Sequence, residues 1–329
     1  MKRGAAALLL VPCALLAGCG TNQSVLNPAS GHASELASLS WLLFALGTAV
    51  VLIVIVATVI AYSGSDRVRA ALASQNAVVV GGIAFPVVVL TGLLTAGIWL
   101  TKGSQARLQE PADLRISIVG EQWWWRLAYE GPDGQRIAAA NELRIPVGRA
   151  TLLELTSADV IHSFWVPSLA GKIDMIPGRT TRLRLEPSAP GVFRGQCAEY
   201  CGGPHALMAF EVVAMPADAF DAWLARQAEP AAEPATPEAE RGRDLFLASG
   251  CGGCHVVRGT EAAGTIGPDL THLASRRSVG LDTTPLTPAA IAAFVRDGQH
   301  IKPGNLMPPF RIFAPDDLAA LSSYLGGLK

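Results

Sequence analysis

Sulfur and imidazole side chains cluster in one short stretch of this 329-residue chain. Cys197 and Cys201 are separated by three residues, His205 and Met208 follow closely, and a further histidine, His162, lies upstream. Thiolate, imidazole and thioether groups form a soft ligand set that suits copper, whereas magnesium and calcium prefer oxygen ligands. Because a Cys-x3-Cys loop can direct both sulfur atoms toward one small volume, the stretch predicts a copper site.

Three other uses of this cysteine pair remain open. Outside the cytoplasm two cysteines usually form a disulfide, but that leaves the nearby histidine and methionine without a role. A zinc site prefers four tetrahedral ligands and does not use methionine. A thioredoxin-like copper-assembly protein also carries Cys-x3-Cys and a distant histidine, but it lacks the close His-x-x-Met pattern and alternates strands with helices.

A second motif lies further along the chain, where Cys251 and Cys254 are followed directly by His255. Cys-x-x-Cys-His is the attachment sequence of c-type haem, in which the cysteines form thioethers and the histidine binds the iron. Met307 is the candidate for the opposite axial ligand. A His/Met pair keeps haem iron six-coordinate and raises its potential, which favours electron transfer over oxygen binding.

The composition indicates that part of the chain lies in a membrane, since 50% of the residues are hydrophobic and only 16% are charged. Two uncharged runs each exceed the roughly 20 apolar residues that a spanning helix needs. They predict transmembrane helices over about 38–62 and 77–100. Pro86 lies inside the second run, where a membrane helix tolerates it as a kink.

The ends of the membrane segment indicate its orientation. Residues 1–18 begin with a basic pair and continue with a short apolar stretch, which is typical of a secretory signal. The signal ends in Leu-Ala-Gly-Cys, which resembles a bacterial lipobox and implies lipid on Cys19; an ordinary signal with a chance cysteine is the alternative. The connector between the helices carries Arg67 and Arg69 and is predicted to face the cytoplasm. Everything after the second helix is then outside.

The outer part of the chain is predicted to form two domains of different class. Residues 105–225 contain short runs of alternating apolar and polar residues between Gly/Pro turns, which favour an antiparallel sandwich. Residues 226–238 are rich in Pro, Ala and Glu and predict an extended tether. Residues 239–329 form the second domain, the Thr-Pro pairs at 236–237 and 287–288 are typical of helix starts, and leucines repeat on one face of a final helix.

The first site resembles the binuclear copper centre CuA of cytochrome c oxidase subunit II. The resemblance implies an all-β cupredoxin-like sandwich in which Cys197 and Cys201 bridge two copper ions. It also implies that His162 and His205 bind one copper each. The same resemblance assigns the two weak ligands, the thioether of Met208 and the backbone carbonyl of Glu199.

The family resemblance extends beyond the copper ligands. Trp123 opens an aromatic run and matches the residue through which electrons enter the copper site in the family, although ordinary core packing also explains a tryptophan. The side chain of Glu199 corresponds to a ligand of a magnesium ion shared with subunit I. Asp174 is a weaker candidate for ordering that region, with a surface carboxylate as the alternative. One feature departs from many family members, because no acidic residue occurs from Val68 to Thr101 to start a proton channel.

The second outer domain resembles class I cytochrome c, an all-α fold. Gly267-Pro268-Asp269-Leu270 is similar to the segment whose proline carbonyl orients the haem histidine. Asn305-Leu306-Met307-Pro308 is similar to the segment that carries the sixth ligand. Each cysteine then has a use other than a disulfide: Cys13 is lost with the signal, Cys19 takes lipid, two bind copper and two bind one covalent haem.

Together the resemblances imply a caa-type oxidase subunit, a multidomain chain in which a two-helix transmembrane hairpin precedes both outer domains. Its implied function is to pass electrons from an outside donor through haem c and CuA to subunit I, which reduces oxygen to water and translocates protons. The implied partners are subunit I, subunit III, a cytochrome c or the cytochrome bc complex as donor, and lipid of the bacterial plasma membrane. A formal net charge of -1 gives no sign of a nucleic-acid partner.

Two other functions are compatible with these motifs. One is the corresponding subunit of a nitric oxide reductase with a CuA centre, which differs only in its catalytic subunit. The other is a copper-delivery or storage lipoprotein, which would need labile copper and has no need of a fused haem. Nitrous oxide reductase is excluded, because six histidines are too few for its histidine-rich cluster.

Overall fold

The computed structural model describes residues 23–131 and 134–329. The predicted signal peptide and Cys19 therefore lie outside the described residues. The described chain divides into two compact units, one of residues 34–111 and the other of the remaining residues.

Two long apolar helices dominate the first unit. Helix α1 (Gly31–Ser63) and helix α3 (Gln75–Arg107) are both long and apolar enough to cross a membrane, and they contain the two predicted spans. A short helix, α2 (Asp66–Leu72), lies between them. A π-helical turn at Val80–Ala84 precedes Pro86, because proline has no N–H to donate to the carbonyl one turn earlier.

The sandwich domain consists of two five-stranded sheets. The first has the order β3-β2-β1-β5-β8 and the second β4-β10-β9-β6-β7. The strands are β1 (Leu114–Glu121), β2 (Trp124–Glu130), β3 (Arg136–Ala140), β4 (Glu142–Pro146), β5 (Thr151–Ser157), β6 (His162–Trp165), β7 (Ile173–Met175), β8 (Thr181–Leu185), β9 (Gly191–Cys197) and β10 (Ala209–Met215). The predicted all-β sandwich is confirmed.

The predicted antiparallel pairing holds for six of the eight strand pairs in the described residues, and it fails for the other two. Strand β1 runs parallel to β5, and β4 runs parallel to β10. The period-two pattern of a strand reports which face is buried and does not report the direction of its neighbour. The partners of each parallel pair are not joined by a hairpin, because the chain passes through the other sheet between them.

Aromatic rings fill the space between the two sheets. Trp125 and Phe164 meet edge to face with ring centres 5.7 Å apart, and the ring centres of Phe164 and Phe210 are 4.6 Å apart. All three side chains are buried. A β-carbon added at Gly195 would lie 2.2 Å from the Phe210 ring, so glycine is needed opposite that ring. This core supports the ends of β6 and β9, where the candidate copper ligands lie.

Helices build the last part of the chain. Helix α4 (Ala217–Ala228) packs on the sandwich, and α5 (Pro237–Ala248), α6 (Pro288–Ile301) and α7 (Pro315–Gly327) belong to the C-terminal domain. The predicted Thr-Pro starts are confirmed: the hydroxyls of Thr236 and Thr287 accept hydrogen bonds of 3.1 Å from Ala239 N and Ala290 N. The predicted all-α domain is confirmed.

The connection between the two outer domains is not a free tether. Helix α4 continues to Ala228 and α5 begins at Pro237, so both helices extend into the predicted linker 226–238. Ala231 N donates to Arg258 O at 2.9 Å, and the Glu229 carbonyl lies 3.0 Å from His272 Nε2. Composition predicted a segment without a core of its own, but it could not reveal that its backbone binds the neighbouring domain.

The packing of α5 on α7 depends on Gly242. A β-carbon at this position would lie 2.0 Å from the carbonyl oxygen of Ala320, which is too close for the helices to remain where they are. We expect Gly242→Ala to destabilise the C-terminal domain by about 1–3 kcal/mol through overpacking. Thermal unfolding of the purified chain, followed by the haem absorbance, would measure the loss. Gly327→Ala on α7 is the matched control, because nothing lies within 4 Å of its added carbon; equal stability of both variants would contradict this account.

Candidate copper and haem sites

The ends of two neighbouring strands position the cysteine loop. His162 begins β6 and Cys197 ends β9, and Cys197 is paired with Phe164 across the sheet. The loop is held on both sides, since Cys197 N donates to Met208 O and Ala198 N donates to Ser163 O, each at 3.0 Å. The fold therefore brings His162 to the loop from 35 residues earlier in the chain.

The side chains of the loop converge on the two sulfur atoms. Cys197 Sγ lies 3.8 Å from Cys201 Sγ and 3.8 Å from His162 Nδ1. Cys201 Sγ lies 3.4 Å from His205 Nδ1 and 3.8 Å from Met208 Sδ. The carbonyl oxygen of Glu199 lies 3.2 Å from Cys197 Sγ. All six predicted copper-ligand positions are thus brought together.

The donor set fits a soft metal. Zinc bonds to sulfur and nitrogen are about 2.0–2.3 Å long, so donors that share a metal ion with bonds of this length stand about as far apart as these do. The ligand atoms of His162, Cys197 and Cys201 all lie within 4.8 Å of one another, and the three residues are buried. Burial in an apolar core excludes water as a competing ligand, and the thioether adjoining the pair favours copper over zinc.

The two thiols do not share the same acidity. The hydrogen bond that Cys197 shares with Cys201 lowers the pKa of Cys197, against the effect of burial. The same hydrogen bond, together with burial, raises the pKa of Cys201. Loss of the second proton from the pair is therefore less favourable than loss of the first, and a bound positive ion would offset that cost.

Asp159 fixes the orientation of the buried imidazole. Its Oδ1 lies 2.8 Å from His162 Nε2, and its Oδ2 accepts a hydrogen bond of 2.7 Å from Gln122 N. Nε2 carries the proton in this arrangement, which leaves Nδ1 free to face the sulfur of Cys197. Burial lowers the pKa of His162, but its hydrogen bonds to Cys197 and Asp159 outweigh that effect and raise it overall.

Gly120 makes room for the same ring. A β-carbon at this position in β1 would lie 2.8 Å from Cδ2 of His162. Neither Gly120 nor Asp159 was singled out from the sequence. The only sequence signal is that Asp159 precedes His162 by three residues, and without the fold such a spacing has no specific meaning.

The three consecutive tryptophans have different surroundings. Trp123 Nε1 donates to Cys201 O at 2.9 Å, and Gln122 Nε2 donates to the same oxygen at 2.7 Å. The guanidinium carbon of Arg126 lies over the Trp124 ring, 4.5 Å from the ring centre, and Trp125 is in the core. Only Trp123 of these three therefore hydrogen bonds to the cysteine loop.

Two weaker candidates lie beside the site. Glu199 contacts the site through its backbone, and its side chain is partly exposed. Asp174 lies in β7, and its carbonyl accepts a hydrogen bond of 2.9 Å from Thr181 Oγ1. These contacts leave the magnesium role of Glu199 and the ordering role of Asp174 as predictions.

The C-terminal domain orients His255 as a haem ligand requires. His255 Nδ1 lies 2.8 Å from the carbonyl oxygen of Pro268, which leaves Nε2 as the nitrogen available to iron. A β-carbon at Gly267 would lie 2.4 Å from Cε1 of His255, so only glycine permits this approach. Burial lowers the pKa of His255 and favours the neutral ring that binds a metal. Cys251 and Cys254 occupy the turn before it.

Met307 lies in a segment that hydrogen bonds restrain. Its N–H donates to Asn305 Oδ1 at 3.0 Å, and its carbonyl accepts a bond of 3.3 Å from Gln299 Nε2. Both Met307 and Cys251 are partly buried against the same apolar core. One thioether candidate and the axial methionine candidate therefore border the same core, which fits the predicted group.

Fold and site together define a class of protein. Two membrane-spanning candidates precede a cupredoxin-like sandwich with a soft-metal site, and a helical domain with a c-type haem motif follows. The class is a chain with two candidate membrane spans that are followed by one domain with a candidate soft-metal site and one domain with a c-type haem motif.

Comparisons with known proteins identify both domains. Residues 133–215 match the family described as cytochrome c oxidase subunit II, periplasmic domain, and residues 239–329 match cytochrome c. The chain therefore carries the periplasmic domain of cytochrome c oxidase subunit II with a cytochrome c domain fused behind it, which confirms the resemblance seen in the sequence. The first domain implies CuA copper and the second implies haem.

Individual relatives agree with the family matches. Cytochrome c oxidase subunit 2 of Alkalihalophilus pseudofirmus is 40% identical over 216 residues, and that of Bacillus subtilis is 32% identical over 227. These alignments cover 65% and 66% of this chain but only 61% and 62% of the relatives. Among solved structures, the periplasmic domain of subunit II from Bradyrhizobium japonicum is 33% identical, with 36% of this chain and 96% of that chain covered and a TM-score of 0.34.

Asp159 provides a test of the copper site that leaves all ligands in place. We expect Asp159→Asn to weaken copper binding by about 10- to 100-fold, because the imidazole loses the partner that fixes its tautomer. Competition with a copper chelator, applied to the purified chain, would measure the change. The control is Glu130→Gln, which removes an exposed carboxylate from the same sandwich. Equal copper retention by both variants would mean that Asp159 does not orient the ligand.

Proposed function

We propose that the chain is the subunit at which electrons enter a membrane-bound haem-copper oxidase that reduces oxygen to water and translocates protons. The observation that carries this proposal is the convergence of the six predicted ligand positions on Cys197 and Cys201, on a chain that also holds a haem motif. A copper-delivery protein needs no fused cytochrome domain, so this combination favours electron transfer.

The chain's own residues would hold two cofactors. Cys197, Cys201, His162, His205 and Met208, with the carbonyl of Glu199, would bind the copper pair. Cys251 and Cys254 would anchor one haem, with His255 and Met307 as the axial ligands. When bound, both groups supply reversible one-electron chemistry at little cost in rearrangement.

Rigidity is the contribution of the protein to this function. The strand ends hold the cysteine loop, Asp159 holds the imidazole, and Trp123 with Gln122 holds the carbonyl of Cys201. Ligands that keep their positions in both oxidation states lower the barrier to electron transfer. Trp123 hydrogen bonds directly to the loop and is proposed as the residue through which electrons reach it.

Partners and location follow from the family resemblance. The chain would assemble with the catalytic subunit I and with subunit III, and a cytochrome c or the cytochrome bc complex would reduce it. Glu199 would contribute to a magnesium site shared with subunit I. The two apolar helices would cross the bacterial plasma membrane, with residues 105–225 and 239–329 on its outer face and lipid on Cys19.

Gas consumption by the complex purified through this chain tests the function. The complex would receive electrons from ascorbate and a mediator, and oxygen and nitric oxide would be followed separately. We expect rapid, cyanide-sensitive oxygen uptake that Cys197→Ser reduces by at least an order of magnitude, because one bridging ligand is lost. Lys329→Met, at the exposed end of the chain, is the control and should behave as wild type.

Two results would contradict the proposal. Nitric oxide consumption with negligible oxygen uptake would assign the chain to a nitric oxide reductase and retain the electron-transfer role. Absence of both activities, without a large membrane partner, would contradict the oxidase role altogether.

A further inference from the structure

The two outer domains share an interface that contains ion pairs. Arg194 of β9 contacts Asp282 of the cytochrome domain at 2.6 Å, and the side chain of Asp282 is only 9% exposed. Arg277 contacts Glu211 of β10 at 2.7 Å, and its N–H donates to Glu142 at 2.8 Å. A charge pair that is partly withdrawn from water is screened less than one on an open surface.

Two further arginines of the sandwich bind carbonyl oxygens of the cytochrome domain. Arg144 Nη2 donates to Ser275 O at 2.7 Å, and Arg126 Nη2 donates to Ile266 O at 3.2 Å. Their side chains cannot keep these bonds if the domains separate. The contacts are spread over several segments of the cytochrome domain, so they restrict rotation as well as separation.

Lys302 of the cytochrome domain contacts the sandwich domain at this interface. Its ammonium donates to the backbone carbonyl of Trp123 at 2.5 Å, and Gly280 O lies 3.4 Å away. Lys302 is 5% exposed. Burial lowers its pKa to about 8, partly opposed by Asp282 and Cys201, so the contact is made at a cost in desolvation. A lysine is rarely buried at such a cost unless its bonds are needed.

The segment that follows Lys302 contacts the same tryptophan. A β-carbon added at Gly304 would lie 3.5 Å from Cζ3 of Trp123 and 3.6 Å from Cδ of Pro204. The backbone of Gly304 adopts φ +87°, which favours glycine. Because Met307 is three residues further on, this turn connects the candidate axial ligand of the haem with the residue that hydrogen bonds to the cysteine loop.

We propose that Lys302 is a positioning residue that fixes the cytochrome c domain against Trp123, so that electrons cross between the two sites from one docked arrangement. The Arg194–Asp282 and Arg277–Glu211 pairs hold the same arrangement from its periphery. This inference rests on the proposed electron-transfer function. Electrons would then cross a permanent interface between the two domains, and the cytochrome domain would not have to find the copper site by diffusion on a flexible tether.

Lys302→Met tests the inference, because methionine keeps an unbranched side chain and removes the donor. The purified complex would be studied by hydrogen–deuterium exchange and by the rate of electron exchange between haem and copper after a reducing flash. We expect exchange in residues 121–125 and 303–307 to rise by about tenfold or more, the effect of losing a hydrogen bond from a charged donor. The electron-exchange rate should fall while thermal stability changes little, and Lys302→Arg should restore part of it.

Two further variants serve as a control and as an independent test. Lys329→Met removes a lysine charge at the exposed C-terminus and should leave both readouts at the wild-type value. Asp282→Asn weakens the interface from the other side and should act in the same direction as Lys302→Met, even if Lys302→Met fails to fold. Wild-type values of both readouts in Asp282→Asn and in any folded Lys302→Met would overturn the inference.

Failure of the inference is distinguishable from failure of the function. Oxygen uptake of the wild-type complex, measured on the same preparation, reports the function alone. Normal oxygen uptake with unchanged exchange in the variants would reject the docking role of Lys302 and retain the oxidase role. Absent oxygen uptake in the wild type would reject the oxidase role, whatever the exchange pattern.

Discussion

Two cysteine sulfur atoms held 3.8 Å apart in a buried pocket impose the main constraint on the sandwich domain. Two thiolates at this separation repel each other, and burial increases the repulsion, so loss of the second proton is disfavoured and a bound cation would offset that cost. Each nearby feature limits movement of this pair. The strand ends of β6 and β9 fix the loop, Asp159 orients His162, and the indole of Trp123 binds the carbonyl of Cys201.

Most of the site residues could be predicted from short motifs, because metal and haem binding require their ligands at defined spacings along the chain. Both cysteine pairs with His205 and His255 could be singled out from residue type and separation, and the family resemblance supplied the roles of His162, Met208 and Met307. The hydrogen bond from His255 to Pro268 was likewise expected from a short segment. The supporting residues were not, since Asp159, Gly120 and Gln122 act through positions that exist only after the sheets have formed.

The way in which the two outer domains pack together could not be predicted from the sequence either. Counts of acidic and basic residues give a net charge of -3 over residues 106–224 and of zero over residues 238–329, which describes the distant field and not the position of individual groups. Arg194 and Asp282 become partners only when two surfaces are brought together. Composition described the connecting segment correctly as lacking large apolar residues, but the bond from Ala231 to Arg258 shows that such a segment can still be fixed by its backbone. The two parallel strand pairs were not predicted, because a strand alternates in the same way whichever direction its neighbour runs.

X-ray absorption at the copper edge of the purified chain tests the central claim most directly, because it reports the atoms around the metal whatever the activity of the complex. We expect sulfur and imidazole nitrogen ligands, with a second copper atom bridged through the same two sulfurs. A spectrum with nitrogen and oxygen ligands only, or copper without a copper neighbour, would contradict the assignment of Cys197 and Cys201 as bridges. A chain that binds no copper and carries a Cys197–Cys201 disulfide after oxidant-free purification would contradict the account as a whole.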